Sequence, residues 1–172
     1  MNRLKLWVLA ILISTTFIGG FANITAFADG GIAVEDRLLI QDLITLYGRT
    51  YDDRDADGWV ALFTDSAPMP LYIAGKLARE LNTNEDRKKW AQSRFETFEK
   101  DGVFTTRHYQ TNTLLKPLGD GTAEGTTLFF VTFQYAAETT PRPIHTGIYR
   151  DRFVKTSEGW RFARREIYID HK

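Results

Sequence analysis

Four long segments in the second half of the chain, 105–118, 122–138, 144–156 and 160–169, are each crowded with β-branched and aromatic residues, the composition of strands on a half-buried pleated surface. Only turn-forming clusters separate them: Gly119-Asp120-Gly121, then residues 139–143 with Pro141 and Pro143, then Ser157-Glu158-Gly159. Connections this short leave no room for crossover helices, so successive strands must pair antiparallel. Strands of this length twist and curl. The concave face of such a sheet needs an apolar cover, and the segments upstream read as that cover.

Residues 34–53 place Leu39, Ile40, Leu43, Ile44, Leu46 and Tyr47 at helical spacing, with Glu35 and Asp36 in the first turn, where the helix dipole favours them. A short second helix follows, with Asp57 as its cap and Trp59, Leu62 and Phe63 facing inward. Residues 66–73 contain Pro68 and Pro70 and read as an edge strand at most; Gly75 allows a turn. A third helix spans 85–100, capped by Thr83 or Asn84, packed through Trp90, Phe95 and Phe98, and ended by Gly102. Helices followed by long antiparallel strands predict an α+β fold: three N-terminal helices on a strongly curved antiparallel sheet, a cone whose mouth is a small-molecule pocket.

The N-terminus has a different character. Arg3 and Lys5 precede an apolar run over 6–18, and Ala26-Phe27-Ala28 supplies a small-x-small cleavage pattern. Residues 1–28 therefore read as a secretory signal and 29–172 as the mature domain, periplasmic or secreted. The apolar run is shorter than the roughly 20 residues that span a bilayer, so no stable membrane anchor is expected after cleavage. The chain has no cysteine, which excludes a lipid-modified anchor and any disulfide framework. Basic and acidic residues number 22 each; losing Arg3 and Lys5 leaves a slightly acidic domain, which argues against a nucleic-acid partner.

Chemistry is expected from inward-facing strand positions and from the end of the first helix. Simple alternation puts His108, Gln110 and Asn112 on one strand face with Leu114 beyond them. Histidine is the commonest general base, and it needs an orienting carboxylate. Tyr47, Tyr51 and Asp52 cluster near the C-terminal end of the first helix, where Asp52 either enters the mouth of the cone or lies on the surface. Tyr149 shares its strand phase with Gly147 and His145; His145, near the mouth at the start of that strand, reads either as a second pocket histidine or, in preference, as a loop-end surface residue. Arg107 is expected to pair with acids on the outer face, and His171 is a tail residue. Asp53-Arg54-Asp55-Ala56-Asp57-Gly58 resembles half of a calcium loop, but the twelfth position is Thr64 rather than an acid. The helix–turn–helix reading explains the same residues, so neither a metal nor a cofactor is expected.

Taken in order, Ile40-Gln41-Asp42-Leu43, Tyr51-Asp52, Leu62-Phe63-Thr64-Asp65, Arg107-His108-Tyr109 with Thr111-Asn112, and Gly159-Trp160-Arg161-Phe162 resemble the SnoaL-like superfamily. This is the cone fold shared by nuclear transport factor, polyketide cyclases and scytalone dehydratase, and the resemblance covers essentially the whole mature chain. Its nearest enzyme likenesses are scytalone dehydratase and lindane dehydrochlorinase, which pair an aspartate late in the first helix with a histidine on the first long strand. Motif by motif, that pair falls on Asp52 and His108. The chain departs from both: a pocket lysine of the dehydrochlorinase is replaced by Tyr47, and serine and asparagine of the dehydratase by Gly147 and Tyr149, so neither substrate is carried over.

The resemblance implies a cofactor-independent lyase or isomerase of dehydratase type, with Asp52 and His108 catalytic. Tyr47, Tyr51, Asn112 and Tyr149 would bind a small apolar substrate. The alternative is a non-catalytic carrier or sensor of a hydrophobic ligand in the same cone, and the aromatic outer sheet face is suited to a homodimer.

Overall fold

The computed structural model describes residues 31–170; the signal-like segment 1–28 and His171 lie outside them. Helix α1 (Val34–Asp52) buries Ile40, Leu43, Ile44, Tyr47, Gly48 and Tyr51, the stripe that its apolar spacing dictates. Helix α2 (Ala56–Val60) follows, then β1 (Met69–Ile73), β2 (Lys76–Leu81), helix α3 (Asn84–Lys100) and four long strands. These are β3 (Val103–Gly119), β4 (Thr122–Tyr135), β5 (Arg142–Thr156) and β6 (Gly159–Ile169).

The sheet has six strands in the order β2-β1-β6-β5-β4-β3. The meander from β3 to β6 is antiparallel throughout, as its short turns require. Bulges interrupt it, three of them on β3, and each adds local twist that curls the sheet around the helices. Trp59, Phe63, Phe153, Phe162 and Ile40 are almost fully buried between the layers, each contributing roughly 1.5–3 kcal/mol of burial free energy.

The segment with two prolines is a correction. Its strand β1 lies inside the sheet, antiparallel to β2 and parallel to β6, so the sheet is not purely antiparallel. Pairing with β6 begins at Leu71, one residue after Pro70, so no ladder bond to β6 is asked of the imino nitrogen. The edge on this side of the sheet is β2, too polar and exposed to read as a strand. Ala74 and Gly75, both at positive φ (49° and 75°), form the two-residue turn that joins β1 to β2.

The caps divide likewise. Thr83 caps α3 by accepting from the Asp86 N–H at 3.1 Å, as expected. Helix α2 is capped two residues earlier than the sequence suggested: Asp55 Oδ1 accepts from the Gly58 N–H at 2.8 Å, while Asp57 pairs with Lys88 Nζ at 2.5 Å. These two acids of the calcium-like stretch thus have structural partners. Among the described residues no group of three or more His, Cys, Asp or Glu is placed to hold a metal, and no helix is long and apolar enough to cross a membrane.

Candidate active site

The site begins with a glycine. Gly48 lets α1 approach β3 so closely that a Cβ there would lie 2.9 Å from His108 Cβ and 2.8 Å from Gln110 Nε2. Gln110 clamps the approach by donating to the Ile44 carbonyl at 2.8 Å. One helical turn beyond Gly48, this contact delivers Asp52 to β3.

Asp52 Oδ2 accepts from the His108 backbone N–H at 2.8 Å. Its Oδ1 lies 2.7 Å from His108 Nδ1 and accepts from the Thr106 hydroxyl at 2.8 Å. Thr106 in turn accepts from Arg54 Nη1 at 2.9 Å, and the Arg54 guanidinium stacks on Phe98 at 4.6 Å. A carboxylate can only accept, so in the neutral imidazole the ring proton belongs on Nδ1, leaving the lone pair on Nε2. Both side chains are nearly buried, His108 at 11% and Asp52 at 8% exposure, so the geometry is held in packed surroundings rather than in solvent.

His108 lines a cavity of about 350 Å³ together with Tyr47, Tyr51, Tyr149, Phe129, Leu71 and Ile167, among others. Phe129 and Tyr149 stack at 4.2 Å between centroids, 15° apart, and Tyr51 sits edge-on to the His108 ring at 5.4 Å. Burial pushes the Tyr47 phenol up to about 12, the positive charge of Arg165 offsetting only part of the effect. Burial likewise raises the phenols of Tyr51 and Tyr149. All three therefore remain neutral near pH 7.

Below the aromatic wall, Arg165 Nε and Nη2 each donate to Asp151 at 2.8 Å. The guanidinium lies 3.9 Å from the Tyr47 ring centroid, 4.2 Å from Tyr149 and 4.1 Å from Phe162. Of the alternating residues on β5, Tyr149, Asp151 and Phe153 are therefore the inward set.

The structure brings together Asp52, His108, Tyr47, Tyr51 and Tyr149, and leaves Asn112 out. Asn112 is exposed, because β3 bulges between Thr111 and Leu114 and Asn112 itself takes a left-handed φ of 53°. The extra residue advances the side-chain phase by one. Thr113 then turns toward Thr127, and Leu115, not Leu114, is buried.

Two further expectations change. His145 lines the cavity, the alternative reading of its position rather than the preferred one. Arg107 donates to the Thr106 carbonyl rather than pairing with outer-face acids. Sequence reasoning missed Thr106, Arg54, Arg79 and Arg94. Thr106 was signalled by its place two residues before His108, and Arg94 by the spacing Trp90, Arg94, Phe98, which is one helix face.

A curled sheet closed by helices around one aromatic cavity, with an acid–imidazole pair in its wall, defines a small-molecule-handling α+β cone. The chain belongs to the SnoaL-like domain family, whose sequence pattern it matches over residues 33–166. No curated protein matches the sequence. Among solved structures, an NTF2-like protein with a cystatin-like fold from Novosphingobium aromaticivorans superposes with a TM-score of 0.65 at 21% identity, covering 78% of this chain and 82% of its own. A scytalone-dehydratase-like protein from the same organism gives 0.64 at 18% identity, with 80% and 88% covered. ActVI-ORFA of Streptomyces coelicolor gives 0.68 at 18% identity, with 79% and 98% covered. At these identities the likeness is one of fold.

Proposed function

We propose that the protein is a cofactor-independent lyase or isomerase of dehydratase type, acting on a small, largely apolar molecule. The observation that carries this reading is the 2.7 Å contact between Asp52 Oδ1 and His108 Nδ1 in the wall of an aromatic cavity. His108 Nε2 takes a proton from carbon or oxygen of the bound substrate, and Asp52 stabilises the imidazolium that results. The same imidazolium returns the proton to a leaving hydroxyl or to another carbon, so no external acid is required. The neutral phenols of Tyr47, Tyr51 and Tyr149 supply the cavity with an apolar body and O–H groups able to donate to a developing oxyanion.

The test uses purified protein and a panel of small hydroxylated aromatic and alicyclic compounds, followed by mass and NMR detection of water loss or isomerisation. Asp52→Asn and His108→Ala should each lower turnover by about 10²-fold or more while retaining the native circular dichroism spectrum. Full activity in either variant refutes the dyad. Tight binding of panel compounds with no conversion supports a carrier.

In this reading the domain works outside the cytoplasm after loss of residues 1–28, for which the mass of the protein recovered from culture or periplasm is the direct measurement. Exposed Tyr109 and half-buried Phe130, with ring centroids 5.8 Å apart, and exposed Leu128 and Leu114 support self-association through the outer sheet face, which light scattering reads as a doubled mass.

A further inference from the structure

The charge of the cavity wall carries more than the dyad. Its lining contains Arg79, Arg94, His108 and His145 and not one carboxylate; Asp52 stands behind His108, engaged by it. Arg79 enters from β2, opposite Leu71 in the register, so both side chains project to the cavity face. Arg94 enters from α3, and its guanidinium lies 4.8 Å from the Phe98 ring centroid. Outside the cavity lining, several sheet arginines meet acids, Arg165 with Asp151, Arg164 with Glu166 and Arg152 with Glu124, whereas Arg107 donates to the Thr106 carbonyl and Arg150 lies over the Tyr168 ring. Among the described residues, neither Arg79 nor Arg94 has a carboxylate within ion-pair reach.

Two guanidiniums in an otherwise aromatic and aliphatic chamber define a ligand with two ends. One end is a flat or alicyclic hydrocarbon body that fills the space beside Phe129 and Tyr149. The other is anionic. A planar carboxylate matches the fork of a guanidinium better than it matches any other group in the wall.

Resting on the proposed function for its site, we infer that the cavity takes a small aromatic or alicyclic carboxylic acid, with Arg79 and Arg94 binding the carboxylate and thereby setting which ring carbon faces His108. Arg79 and Arg94 are thus specificity-determining residues of the cavity. Arg94 is half-buried and Arg79 exposed at the rim; the recognition is electrostatic and discriminates against the neutral amide of the same shape.

The probe pair is 2-naphthoate and 2-naphthamide, titrated into the full chain by calorimetry or ligand-observed NMR. Wild type should bind the naphthoate roughly tenfold or more tightly than the amide, the ratio expected from charge-assisted hydrogen bonds. In Arg79→Gln/Arg94→Gln the ratio should fall to about one while amide affinity is kept; each single variant should give an intermediate ratio. Equal affinities in wild type, a preference that survives in the double variant, or failure of the naphthoate to bind at millimolar concentration overturns the inference. Because affinity alone is read, the result stands whether or not the Asp52–His108 pair turns anything over. Conversely, turnover of neutral substrates with no carboxylate preference would refute this inference and leave the dyad intact.

Discussion

Asp52 holds His108 at two points, receiving its backbone N–H on Oδ2 at 2.8 Å and its imidazole on Oδ1 at 2.7 Å. A single contact would orient a ring that could still swing with its strand. The double contact ties the strand backbone and the ring to the same carboxylate, so the imidazole is registered to α1. Asp52→Asn keeps the shape but replaces an acceptor-only group with one that is half donor. The expected outcome is loss of the fixed Nδ1–H tautomer, visible in long-range nitrogen–proton NMR of the His108 ring, with turnover down by about 10²-fold or more. An unchanged tautomer in the variant would contradict the assignment.

Gly48 is the residue that permits this registration. Alanine is a better helix former than glycine by about 1 kcal/mol, so an exposed Gly48 would gain from the change. Here the new methyl would meet His108 Cβ at 2.9 Å and Gln110 Nε2 at 2.8 Å, and overpacking of this kind costs typically 1–3 kcal/mol. Gln110 can swing away; the Cβ of His108 cannot move without its strand. Gly48→Ala should therefore destabilise the protein by about 1–2 kcal/mol in urea unfolding and disturb the His108 ring resonances. A gain in stability would mean that α1 and β3 are not so closely packed.

These two residues show where the sequence was legible. Helix periodicity and strand composition are strong local signals, and they placed α1, α3 and β3 to β6 within a few residues. Asp52 and His108 were found through their motif context, and their distances follow from a close approach that the glycine alone could not announce. Asn112 was misplaced because alternation assumes an unbroken pleat, and a single left-handed residue resets it. Strand β2 and its Arg79 were invisible because an exposed edge strand carries no apolar alternation to read. The start of a strand left His145 open to either a loop-end or a pocket position, and it lines the cavity.

The buried phenols make an alkaline prediction. Burial holds the Tyr47 phenol at about 12, whereas an unfolded tyrosine titrates near 10. Between those values the folded chain keeps a proton that the unfolded chain has lost, so stability falls as pH rises. The contribution is complete below about pH 10 and is lost as pH climbs toward the folded value, at about 1.4 kcal/mol per unit of difference. Tyr51 and Tyr149 are shifted in the same direction by burial and add to the slope. Urea midpoints measured at rising alkaline pH should drop more steeply for wild type than for Tyr47→Phe. Identical slopes would show that Tyr47 ionises at its ordinary value.

The ion pair beneath the cavity behaves differently from a surface bridge. Asp151 and Arg165 have fully buried side chains, and desolvation raises the Asp151 carboxyl even against the attraction of Arg165. Two opposing costs follow. Removing one partner strands a buried charge, which costs about 3–5 kcal/mol, whereas replacing both with apolar groups of similar volume is often near neutral. Arg165 carries an added role, because its face packs on Tyr47, Tyr149 and Phe162, and two of those rings form the cavity wall. Arg165→Met should therefore be strongly destabilising alone, and Asp151→Leu/Arg165→Met should recover most of that loss. The double variant loses the cation beneath the rings, so its ligand affinity should remain lower than wild type even where stability returns. Additive losses in the double-mutant cycle would show the pair to be uncoupled, and unchanged affinity would confine Arg165 to a structural part.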